Sequence, residues 1–103
     1  MPNNIKNIII DFTKKLEKEK FPIKAAYLYG SYAKNEAKKY SDIDVAIISD
    51  KLKRNWDKNE RLLWKYARLV DLRIEPHGFT EEEFKKGLSP IADEIKRTGI
   101  RIK

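Results

Sequence analysis

Gly30-Ser31, followed ten residues later by Asp42-Ile43-Asp44, sets a phosphate-binding turn ahead of a carboxylate pair. An apolar run from Ala25 to Tyr29 stops at the Gly-Ser, and a second apolar run carries the two acids one residue apart. Side chains alternate between the faces of a strand, so Asp42 and Asp44 point one way while Ile43, Val45 and Ile47 point into a core. Two carboxylates on one face, beside a turn with free backbone N–H groups, suit a metal-bound polyphosphate. That is the chemistry of nucleotidyl transfer.

Two Mg²⁺ ions can clamp the attacking and leaving oxygens of an in-line phosphoryl displacement, and Asp42 and Asp44 are suited to bridging them. Mg²⁺ keeps several waters and takes few carboxylates beside the substrate phosphates, so a small protein ligand set suffices. A third carboxylate usually completes such a site and helps activate the attacking hydroxyl. The expected one is Asp71, read on a third strand opposite the apolar face of Val70, Leu72 and Ile74. Glu75 shares the face of Asp71 but stands roughly 13 Å further along, and reads as structural or peripheral. Gly30 lets the backbone approach phosphates without a Cβ in the way. Ser31 offers its hydroxyl at the start of a short helix, and Lys34 lies close enough to neutralise phosphate oxygens, with Lys38 and Lys39 read as solvated surface. Asp-x-Asp by itself is frequent in turns and Gly-Ser is weaker still. The spacing and the flanking apolar strands give the combination its force.

The elements that must position these residues follow from periodicity. Ile5, Ile8, Ile9, Phe12 and Leu16 recur at helical spacing, predicting an amphipathic helix over about residues 3–20 that ends before Phe21-Pro22. Ile23 to Tyr29 reads as the first strand, Ser31 to about Ala37 as a short helix capped by Ser31, and Asp42 to Ser49 as the second strand. A polar loop over Asp50 to Asn55 leads into a helix from about Trp56 to Ala67. Leu69 to Glu75 alternates as a third strand, which Pro76-His77-Gly78 breaks. Thr80 and Glu83 fit a capping box, Ser89-Pro90 opens a last helix that Thr98-Gly99 closes, and Ile100 to Lys103 is a short alternating tail. His77 reads as a loop histidine. Trp56 and Trp64 read as core or interface rather than as base-stacking platforms, and Tyr29, Tyr32 and Tyr40 as packing around the site. Helices interleaved with three main strands predict an α/β or α+β fold forming a single domain over residues 1–103.

Composition narrows the class. The chain has 103 residues and no Cys, which leaves no disulfide framework, thiolate metal site or cysteine nucleophile. No apolar run approaches membrane-spanning length and Met1-Pro2-Asn3-Asn4 is no signal peptide, so the expected location is cytoplasmic, with no membrane partner. Twenty-three basic against 16 acidic residues give +7, favouring polyanionic ligands. Lys14, Lys15, Lys18, Lys20, Lys58, Lys85 and Lys86 read as scattered over helices rather than gathered in one stripe. A nucleic-acid reading therefore rests on net charge alone, without a recognised reading motif.

With Gly30, Ser31, Asp42 and Asp44 in this spacing, and Ser41 leading into the acids, the sequence resembles the minimal nucleotidyltransferases of the DNA polymerase β superfamily. The Val70-Asp71-Leu72 segment resembles that family's third-acid strand. Members often carry Arg-Gly where this chain has Lys34-Asn35; Lys keeps the charge without the bidentate fork, and Asn tolerates the left-handed backbone a Gly would supply. The resemblance implies a palm-like fold, a small mixed sheet flanked by helices, with Mg²⁺ and ATP as nucleotide donor. It also implies a separate helical HEPN-domain partner as toxin, with this chain as antitoxin attaching AMP to a tyrosine of that ribonuclease. A chain of this length is expected to carry no second domain to hold an acceptor, so the expected acceptor is a protein that brings its own surface, or an oligomer is expected to complete the pocket. The alternative is a binding module that neutralises the partner by covering it. Three clustered acids, which repel one another without metal, weigh against that alternative.

Overall fold

The computed structural model describes residues 3–87 and 89–103, without the side chain of Asn3. Its first helix, α1 (Asn3–Lys18), carries Ile5, Ile9, Phe12 and Leu16 on one buried face. It ends two residues earlier than the periodicity suggested. Lys20 turns left-handed (φ 62°), and the Phe21 N–H donates to the Leu16 carbonyl at 2.8 Å while that of Lys20 donates to Glu17 at 3.0 Å. This is the paired-bond helix stop, with Phe21 buried beneath it as its apolar seal.

β1 (Ala25–Tyr29) and β2 (Ile43–Ile48) follow, then a 3₁₀ turn (Asp50–Lys53), α2 (Trp56–Val70), β3 (Ile74–Phe79), α3 (Glu81–Lys86), α4 (Pro90–Thr98) and β4 (Ile100–Arg101). The sheet order is β3-β2-β1-β4. β1 is antiparallel to β2 and β4, and β2 is parallel to β3. The fold is therefore α+β around a mixed sheet, as expected. Ile43, Val45 and Ile47 face α1 and α2 in the larger core, with Leu28, Leu63, Ala67 and Ile74. Ala46, Ile48 and Phe79 face α3 and α4, with Phe84, Ala92 and Ile95. The Thr80–Glu83 capping box is present in both directions, at 3.2 and 3.0 Å.

Two expected elements differ. The third strand does not run from Leu69 to Glu75. α2 continues to Val70 because Leu63, Ala67 and Val70 keep the helical spacing against the core, and Asp71 is its C-terminal cap residue. Leu72, read on the apolar face of that strand, is 84% exposed, and Leu69, read as its first residue, is 65% exposed. The strand starts at Ile74 and passes straight through Pro76-His77-Gly78, so these residues neither break the chain nor put His77 in a loop. Proline is tolerated because β3 is an edge strand. Ile43 N–H bonds the Arg73 carbonyl and Ser49 N–H bonds Phe79, so odd-numbered residues of β3 face β2 and the missing N–H of Pro76 falls on the free edge.

The short helix expected after Ser31 is instead a single turn. Lys34 N–H bonds Gly30, Glu36 N–H bonds Ser31 at 2.9 Å, and Asn35 sits left-handed at φ 58°. The left-handed conformation anticipated for Asn35 is what closes this turn at once.

Candidate active site

Parallel pairing of β2 and β3 decides which acids meet. Asp44 is in register with Glu75 on one side and with Tyr29 of β1 on the other. All three lie on the sheet face that α3 and α4 cover over Ala46, Ile48 and Phe79, and Tyr29 packs against the edge of that cluster. Asp42, one alternation before Asp44, stands exposed at the mouth of this row.

The charges of this cluster are mutually felt. Burial pushes the Asp44 carboxyl up, with the charges of Asp42 and Glu94 adding to the rise, while a hydrogen bond with Glu75 opposes it. Glu75 is also pushed up, first by partial burial, then by the charge of Asp42 and a hydrogen bond with it, and then likewise by Asp44. Both shifts describe one arrangement, in which Glu75 keeps its proton more readily and shares it with its neighbours. Tyr29 reports the same field: burial first, then Asp44 and Glu75, push its hydroxyl up to about 12.

Gly30 closes the row from above. Its φ of +74° is left-handed, and a Cβ there would lie 2.2 Å from Oδ2 of Asp44. Glycine is thus needed twice, for the turn and to leave room for the carboxylate. The part read from sequence, open approach for a phosphate, is compatible with this but is not its whole role. Ser31 follows, partly exposed. Lys34 is held by Glu94 of α4, Nζ to Oε1 at 2.7 Å, so the cation expected to meet phosphate is tethered at the rim of the acid row.

Asp71 is not brought to this row by a strand. From the end of α2 its Oδ1 accepts from Arg73 N and Nε at 2.8 and 3.1 Å, and its Oδ2 accepts from Arg73 Nη2 at 3.0 Å. That guanidinium holds its carboxyl below the usual range, and neither Asp42 nor Asp44 contributes to the shift. The residue that joins the pair is Glu75. The signal that could have found it is the unbroken helical spacing through Val70, which moves the strand start by one step of the alternation and more. Among the described residues, no three His, Cys, Asp or Glu side chains already close around a point as a metal cage. Asp42, Asp44 and Glu75 are neighbours whose charges are mutually felt rather than a closed ligand set.

The profile of the nucleotidyltransferase domain matches residues 8–101. Among solved structures, a toxin–antitoxin crystal structure with AMP-PNP superposes at TM-score 0.67 and 22% identity, over 95% of this chain and 72% of that one. A Sulfolobus solfataricus protein described as a nucleotidyltransferase superposes at TM-score 0.68 and 12% identity, over 95% and 78%. The toxin–antitoxin MntA-HpeT, in a mutant with two aspartates one residue apart replaced by glutamate, gives TM-score 0.64 and 20% identity over 95% and 72%. No curated protein matches the chain. At these identities the superpositions speak to the fold.

Proposed function

The chain belongs to the nucleotidyltransferase domain family, and from that premise we propose that it transfers AMP from ATP to a protein hydroxyl, a tyrosine of a HEPN-domain toxin, and so acts as that toxin's antitoxin. The observation that carries the reading is the meeting of Asp42, Asp44 and Glu75 beside the Gly30 turn. Toxin–antitoxin complexes among the similar structures, one with AMP-PNP, support the nucleotide and the kind of partner.

The donor set suits Mg²⁺. It consists of carboxylate oxygens, the hard ligands that ion takes, and the raised carboxyls of Asp44 and Glu75 reflect burial first and then the charge of their acidic neighbours, which a cation would offset. Asp42, Asp44 and Glu75 would hold the metal, with Glu75 in the place sequence reasoning gave to Asp71; bound there, it would neutralise phosphate charge and fix the in-line geometry.

The chain's own groups do the rest. The Gly30-Ser31 turn presents backbone N–H groups and the Ser31 hydroxyl to the phosphates, and Lys34 swings from Glu94 to add a positive charge. The acceptor oxygen forms its bond to the α-phosphorus as the bond to the bridging oxygen breaks. Diphosphate leaves, and the acceptor's proton passes to the Glu75 carboxylate.

Thermal unfolding with millimolar Mg-ATP tests this. A ligand at a hundred times its Kd adds about 2.7 kcal/mol, a rise on the order of 10 °C for a domain this size. The wild type and Asp71→Asn should show it and Glu75→Gln should not. Absence of both heat and stabilisation in the wild type would overturn the active-enzyme reading, and loss only in Asp71→Asn would return the third-acid role to Asp71.

A further inference from the structure

Lysines read alone are dispersed, but lysines and arginines together are not. Lys58, Arg61, Lys65 and Arg68 follow one another along α2 at steps of three, four and three residues. At 3.6 residues per turn these steps keep all four within an arc of roughly 80°. That arc lies opposite the buried side of α2, formed by Asn59, Leu63 and Ala67, and all four residues are exposed. None takes part in any ion pair among the described residues, although Asp57 stands one turn before Arg61. Lys65 only rests over the Tyr66 ring, 5.8 Å from its centroid.

We propose that the outward face of α2 is a binding surface for single-stranded nucleic acid, separate from the acid row. The chemistry points to a phosphodiester backbone for three reasons. Four unpaired cations in line complement a polyanion rather than a single anion. They rise along the axis by about 4.5–6 Å per step over about 15 Å, a linear array that suits a backbone lying along the helix. An aromatic side chain stands among them: Trp64 lines, with Arg61, Lys65 and Arg68, a surface hollow of about 440 Å³. Cations that track a backbone beside an aromatic ring that takes a base are the parts used for sequence-tolerant single-strand binding. Glu60, the acid lining the same hollow, has its Oε2 buried, 3.0 Å from where a Cβ on Gly78 would lie. That oxygen is turned toward β3 and away from the stripe.

α2 packs on the face of β2 that carries Ile43, Val45 and Ile47, whereas Asp44 and Glu75 lie on the other face. Occupation of the stripe therefore leaves the acid row open, and the two sites can be tested apart.

The test is fluorescence anisotropy of a labelled twelve-nucleotide single-stranded RNA across a salt series. Four phosphate contacts give a log–log slope near −3, about a 50-fold loss of affinity between 50 and 200 mM NaCl. Arg61→Gln/Lys65→Gln, both exposed positions, should flatten the slope by roughly 1.4. Lys14→Gln/Lys18→Gln on α1 removes the same net charge and should change the slope little. RNA should quench tryptophan fluorescence, and Trp64→Phe should abolish that quench. Asp42→Asn/Asp44→Asn should bind RNA as the wild type does. The proposal is overturned if no salt-dependent binding is seen, or if the two lysine-bearing variants lose affinity equally. It is also overturned if polyglutamate of equal charge competes as well as RNA, which would mark the stripe as a surface for an acidic protein. Loss of Mg-ATP binding with the RNA result intact would count against the acid row alone.

Discussion

Replacing Gly30 with alanine perturbs two quantities that the structure separates. The first is backbone conformation: φ +74° costs an L-residue about 1–2 kcal/mol. The second is contact. The new Cβ would meet Oδ2 of Asp44 at 2.2 Å, so the carboxylate must retreat by about 1 Å to reach ordinary van der Waals separation. Leaving its rotamer well costs about another 0.5–1.5 kcal/mol. Gly30→Ala should therefore destabilise the protein by about 2–3 kcal/mol, on the order of 10 °C in Tm. Misplacing a reacting group by that distance should lower transfer on the order of 100-fold. A bulkier Gly30→Val would displace Asp44 as well, so it could not separate the two roles. A double-mutant cycle can. In an Asp44→Ala background the clash is gone, and Gly30→Ala should cost only the backbone term, about 1–2 kcal/mol. Chemical denaturation of the four proteins reads the difference. An equal cost in both backgrounds, or full transfer activity in Gly30→Ala, would refute the reasoning.

Three further outcomes follow from the site. Glu75 has a raised carboxyl in the folded state, so its charge weakens the metal-free fold above that raised value. The penalty fades as pH falls toward the ordinary glutamate pKa of 4.5; Glu75→Gln should melt higher than wild type at pH 7, with the gap closing on acidification and on adding Mg²⁺. Asp71 behaves oppositely, since Arg73 lowers its carboxyl: Asp71→Asn should cost about 0.5–1 kcal/mol at neutral pH, a loss that disappears as pH falls below the ordinary aspartate value of 3.8 in denaturation titrations. Lys34→Met should leave Tm nearly unchanged, because the ion pair with Glu94 is exposed, while raising KM for ATP on the order of tenfold in steady-state kinetics.

The sequence carried the acid pair well because period-two alternation is a local signal: Ile43, Val45 and Ile47 went inward and Asp44 outward, as the burial shows. Caps were equally legible at Thr80 and Ser89, where side-chain hydroxyls accept from Glu83 and Ala92 N–H groups. The neighbour of Asp44 across the sheet was not, for two reasons. Val70-Asp71-Leu72-Arg73-Ile74 alternates like a strand, yet the core holds Val70 at helical spacing and leaves Leu72 in solvent. Pro76 and Gly78 read as breakers, yet an edge strand in parallel register accommodates both. Which residue faces Asp44 is fixed by that register, a long-range property with no local trace. Likewise the basic face of α2 emerges only when Arg and Lys are counted together around a helix of known extent.

The central claim is that the carboxylates beside Gly30 transfer AMP to a partner protein, and the mass of that partner tests it most directly. Incubated with wild-type protein and Mg-ATP, the cognate toxin should gain the mass of one or more AMP groups on tyrosine, read by intact and peptide mass spectrometry. Asp42→Asn/Asp44→Asn, which removes two charges at nearly constant shape, should still bind the toxin but add no mass. An unmodified toxin with the wild-type protein, neutralised equally well by the double variant, would contradict the account and leave a chain that works by covering its partner.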